Sequence, residues 1–146
     1  MDQLSSGERA YKGSDAVRIT GKPDVEMFEA ALNAIVARHK ILCSTVKLID
    51  GWSVVVVHLT WPWKLNVITL KNLPLRLREA ELAQFLIDER RNLYDLEAAP
   101  GRRATVTQLS ADEHVFILMF HHLICDGLSV GILWRELILI SKDASP

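Results

Sequence analysis

The feature that most constrains this chain is the run HVFILMF, residues 114–120, together with the HHLICDG, 121–127, that follows it. From Val115 onward the run shows no polar alternation. A strand that is apolar on both faces has to be covered on both faces, so 114–121 is expected at the centre of a sheet. The polar cluster falls where that strand ends. Two adjacent histidines, an aspartate and a glycine at such a place make either a well-satisfied structural corner or a reactive site.

Strand geometry sharpens the choice. Successive side chains point to opposite faces, so His121 and His122 cannot both face one cleft while the strand continues. One is expected to be held in the fold and the other left free. Asp126 and Gly127 follow in a tight strand-to-helix turn, where glycine permits a close backbone approach. A neutral imidazole there can take up a proton near pH 7, because its unperturbed pKa is about 6.5.

The rest of the pattern supplies the architecture. AVRIT, 16–20, alternates as a short strand. After GKPD, a helix follows Asp24, with Val25, Phe28, Leu32, Ile35, Val36 and His39 on one face. STVKLI, 44–49, and WSVVVVHL, 52–59, flank Asp50-Gly51, a pair that tolerates positive φ and so predicts a hairpin. A short strand over 65–69 comes after WPWK. Residues 76–92 read as a helix with Leu82, Phe85, Leu86 and Leu93 as its stripe. RATVTQL, 103–109, pairs through a short turn with 114–121. A last helix over 129–140, capped by Ser129, presents Val130, Leu133, Trp134 and Leu137. The order βαββ(β)αββα predicts an α/β sandwich, helices packed on a mixed sheet, within one domain of 146 residues.

Composition excludes several classes. The net charge is -1 and the basic residues are dispersed, which argues against a nucleic-acid partner. The two dense basic spots, ERR at Arg90 and GRR at Arg102, flank acidic residues and read as solvated faces. No apolar run approaches the roughly 20 residues that span a bilayer, so no membrane partner is expected. The N-terminus is polar, and two cysteines suit a reducing cytosol; the expected location is cytoplasmic. His39 with Cys43, and His122 with Cys125, have loose metal-ligand spacing but no knuckle, so no metal is expected. There is no G-x-S-x-G elbow and no phosphate-cradling glycine loop.

HHLICDG matches H-H-x-x-x-D-G, and through it the chain resembles the condensation domains of nonribosomal peptide synthetases, in the chloramphenicol-acetyltransferase-like superfamily. Wax ester synthases and related acyltransferases share that signature. The resemblance extends through YDLEAAPGRRATVTQLSADEHVFILMFHHLICDGLSVGILWREL, through DVEMFEAALNAIVARHKIL, and back to MDQLSSGERAYKGSDAVRITG, so it covers nearly the whole chain. It implies a chloramphenicol-acetyltransferase-like two-layer sandwich, one lobe only. It implies an acyltransferase that joins an upstream acyl or peptidyl thioester to a downstream aminoacyl amine. Both substrates would ride on phosphopantetheine arms of peptidyl carrier proteins, with no cofactor bound directly. His122 would deprotonate the attacking amine, or orient it and stabilise the tetrahedral intermediate. His121, Asp126, Gly127 and Arg38 would support the motif.

Two departures accompany the resemblance. The helix-end motif reads RHKILCST: Arg38 and His39 match, while Cys43 stands where the family has a second arginine. Arg38 would then supply the missing charge, or hydrogen bonds alone would support Asp126. The chain also corresponds to a partial domain, 1–146: an amino-terminal lobe without the opening motif and without the second lobe. The second lobe and an adjacent adenylation domain are therefore expected partners, and the fragment is expected to be inactive alone. An ester-forming O-acyltransferase and a non-catalytic carrier-docking lobe are the alternatives.

Overall fold

A computed structural model of the chain describes residues 14–91, 94–121 and 130–144. The elements are β1 (Ser14–Thr20), α1 (Val25–Arg38), a 3-10 turn (Lys40–Cys43), β2 (Ser44–Ile49), β3 (Trp52–Val57), β4 (Leu65–Thr69), α2 (Leu75–Arg91), β5 (Arg102–Ser110), β6 (Glu113–Phe120) and α3 (Val130–Ala144). This is the order expected from the sequence, with the 3-10 turn added. β3 stops two residues early, at Val57. The last helix runs on to Ala144. Leu93 and Ser129 lie outside the described residues.

The chain divides into two compact units. One comprises Met1–Val25, Leu65–Leu93 and Arg103–Met119. Its sheet has the strand order β1-β6-β5-β4. β1 runs antiparallel to β6, with Ala16 opposite Ile117. β4 runs parallel to β5, with Leu65 opposite Ala104. A parallel pair needs a crossover, and α2 provides it. Leu82 and Leu86 of α2, with Phe85 partly buried, pack against Ala16, Leu109, Val115, Ile117 and Met119. β6 lies between two strands, and every residue from His114 to Phe120 is buried, as its lack of alternation predicts. Arg78 fastens the start of α2. Its guanidinium donates to the carbonyls of Leu73 at 2.8 Å, Leu109 at 2.9 Å and Lys71 at 2.7 Å.

The other unit comprises Glu26–Lys64, Tyr94–Arg102 and Phe120–Pro146. α1 buries Ala31, Leu32, Ile35 and Val36, which follow its 3.6-residue stripe. β2 and β3 form a separate antiparallel hairpin. Its turn places Asp50 at φ 50° and Gly51 at φ 81°, the left-handed pair that Asp-Gly accepts most readily. α3 buries Leu133, Trp134 and Leu137, three of the four residues expected on its inner face; the side chain of the fourth, Val130, lies outside the description. Among the described residues, no helix is long and apolar enough to cross a membrane.

Candidate active-site corner

The corner starts where β6 ends. His121 is the first residue beyond the strand, and its backbone N–H donates to the carbonyl of Gly101 at 2.9 Å. Its half-buried ring meets Tyr94 edge-on, with centroids 5.9 Å apart. His122, Asp126 and Gly127 lie outside the described residues, as does Cys125.

Gly101 has a specific steric reason to be glycine. A Cβ there would stand 2.7 Å from His121 Cβ and 2.9 Å from Leu96 Cδ2. Gly101 is not among the glycines of positive φ, so close approach is what excludes a side chain. The loop 94–101 thereby lies directly against the histidine corner.

Arg102 corrects the reading of GRR as a solvated face. The residue is only 9% exposed. Its Nε donates to the carbonyl of Leu42 at 2.7 Å, its Nη2 donates to the carbonyl of Trp61, and its guanidinium lies 4.8 Å from the centroid of the Trp63 ring. Burial pushes its pKa down to about 10, while Cys43 acts electrostatically in the opposite direction. The cation is retained at neutral pH because two carbonyl dipoles and an aromatic face replace part of its hydration. Side-chain alternation separates the two arginines. Arg103 stays half-exposed and lies 3.8 Å from Glu89. Arg90 is exposed, as the sequence suggests.

Trp63 links this cation to the strand end. It is buried, and its ring meets Phe120 edge-on at 5.9 Å. Asn33 of α1 clasps its backbone from both sides. Asn33 Oδ1 accepts from Trp63 N–H at 2.8 Å, and Asn33 Nδ2 donates to Trp63 O at 3.1 Å. Neither Asn33, Gly101 nor Arg102 stood out in the sequence as a functional residue. An asparagine beside Leu32 at the edge of an apolar helix stripe was the available signal for the first.

The remaining predicted residues are placed as follows. Arg38 is 60% exposed and lies 3.4 Å from Glu136 of α3. His39 Nε2 lies 3.0 Å from the other oxygen of the same carboxylate. Cys43 is buried, with its sulfur 4.0 Å from the carbonyl of Val36. Beside it, Thr45 and His58 share a 2.8 Å hydrogen bond. Among the described residues, no group of three or more His, Cys, Asp or Glu could hold a metal ion.

This constellation is a histidine-bearing strand end packed against a glycine loop that leads into a buried cation, within a mixed α/β fold. The family model of the condensation domain matches residues 1–144. A linear gramicidin synthase of Brevibacillus parabrevis is 36% identical over 137 residues, which is 94% of this chain and 2% of that protein. The crystal structure of SgcC5 protein from Streptomyces globisporus aligns with a TM-score of 0.78 at 22% identity, over 91% of this chain and 30% of that one. The starter condensation domain of rhizomide synthetase RzmA aligns with a TM-score of 0.77 at 16% identity, over 87% of this chain and 32% of that one. The fold is the chloramphenicol-acetyltransferase-like α/β arrangement of a mixed sheet with packed helices. The chain belongs to the condensation-domain family of nonribosomal peptide synthetases. It spans a few hundredths of the synthase it matches and about a third of the solved chains.

Proposed function

We propose that this chain is part of the amino-terminal lobe of a condensation domain that forms amide bonds between carrier-bound substrates. The donor is an acyl or peptidyl thioester and the acceptor an aminoacyl amine, each on the phosphopantetheine arm of a peptidyl carrier protein. The second lobe and an adenylation domain are the further partners. The observation that carries this reading is HHLICDG at the end of the central strand, in a chain matched by the condensation-domain model over residues 1–144.

His122 is the proposed catalytic residue. Either role open to it needs the imidazole within hydrogen-bond reach of the attacking nitrogen. It removes the proton as the amine adds to the thioester carbonyl, or it orients the amine and stabilises the charge that develops. His121 is proposed to be structural. Its backbone bond to Gly101 and its packing on Tyr94 support that assignment. Asp126, Gly127 and Arg38 are proposed as motif support.

The test is His122→Ala in the synthetase polypeptide that carries this segment, assayed with both carrier domains loaded. Amide formation is expected to disappear while the fold, read by circular dichroism, is kept. Normal condensation by the variant overturns the assignment. Amine and alcohol acceptors run side by side decide between amide and ester formation.

A further inference from the structure

The sequence places cysteine where the family has arginine, yet the structure does not leave that region without a cation. The Arg102 guanidinium donates to the carbonyl of Leu42, the residue directly before Cys43. Both side chains are buried. Among the described residues, no carboxylate pairs with Arg102. Taking a guanidinium out of water is costly, so its burial here calls for a role that a leucine could not fill.

Two routes connect this cation to the histidine corner. Along the backbone, Gly101 immediately precedes it, and the Gly101 carbonyl holds His121 N–H. Through side chains, the Trp63 ring contacts both the guanidinium and the ring of Phe120, the residue before His121. Displacing the guanidinium would loosen Trp63, the Leu42 turn and the first residues of β5 together.

We infer that Arg102 is a positioning residue for the histidine corner, and that it supplies from β5 the cation that the family supplies from position 43. This rests on the condensation reading above. Arg102 touches no reacting atom; it acts by fixing where Phe120 and His121 sit.

The experiment uses the same synthetase polypeptide with loaded donor and acceptor carriers, and compares Arg102→Gln, Arg102→Leu, Cys43→Arg and Cys43→Arg/Arg102→Leu. The glutamine variant keeps a donor for the carbonyls and removes the charge. It is expected to lose kcat by about tenfold or more with KM for either carrier little changed, as befits misplacement rather than weaker binding. Cys43→Arg alone is expected to be impaired, because two guanidiniums would share one buried space. The double variant is expected to return to within about threefold of wild type, a strong coupling between adjacent sites. Wild-type kcat in Arg102→Gln, or a double variant no better than Arg102→Leu, overturns the proposal. A wild-type protein that condenses nothing refutes the condensation reading instead. The cation swap is then decided by thermal unfolding, where a double variant less stable than Arg102→Leu overturns it and one more stable than both single variants supports it.

Discussion

Gly101→Ala separates steric packing from backbone freedom at the histidine corner. The backbone at 101 lies outside the positive-φ region, so alanine loses nothing conformationally and only its methyl matters. That methyl would sit 2.7 Å from His121 Cβ, and ordinary contact begins at 3.4 Å. The two segments must therefore separate by about 0.7 Å, since a Cβ cannot rotate away from its own backbone. Leu96 Cδ2, at 2.9 Å, is the end of a flexible side chain and can move instead. Overpacking of this kind costs about 1–3 kcal/mol, and straining the Gly101–His121 hydrogen bond adds about 1 kcal/mol. The expected destabilisation is thus about 2–4 kcal/mol, read as a lower denaturant midpoint at unchanged m-value. The rate of condensation is expected to fall by about 10–100-fold, because the shift lands directly before His122. Leu96→Ala/Gly101→Ala is the control. If it restores stability and rate, Leu96 was the obstacle and the strand was never displaced. A Gly101→Ala protein within about 0.5 kcal/mol of wild type, at full rate, refutes the reasoning outright.

Substitutions at two further positions probe features away from that corner. Arg78→Ala removes three charge-assisted bonds to carbonyls and is expected to cost about 2–3 kcal/mol in chemical denaturation. Arg78→Lys should recover less than half of that, because one ammonium cannot span three acceptors held by a planar fork. Gly51→Ala meets open space but a φ of 81°, so a loss of about 1 kcal/mol is expected from backbone strain alone. Gly51→Asn should lose less, since asparagine tolerates the left-handed region, and thermal unfolding of the three proteins ranks them.

Local chemistry made much of the fold legible. The continuous apolar run 115–120 reads as a strand covered on both faces, and it lies inside the sheet. Asp50-Gly51 signals a hairpin, and it closes the β2–β3 hairpin. The stripes of α1 and of the last helix, and Leu82 and Leu86 of α2, follow from helical periodicity. The HHLICDG string pointed to the corner and, by resemblance, to a chemistry.

What surrounds the corner was decided by tertiary structure. Arg102 sits between Gly101 and Arg103 in a string that reads as surface, and its acceptors on Leu42 and Trp61 are 60 and 41 residues away. Charge patterning reports only neighbours in sequence, so it cannot distinguish an arginine facing water from one facing two distant carbonyls. Gly101 is likewise silent in sequence, because the side chain that excludes a methyl there belongs to His121. The sequence alone determined the order of the elements and singled out HHLICDG as the candidate reactive string, since periodicity, turn preference and side-chain chemistry are local. Folding alone determined which cation braces the corner and which residue must stay small, since those depend on atoms brought together only when distant segments pack.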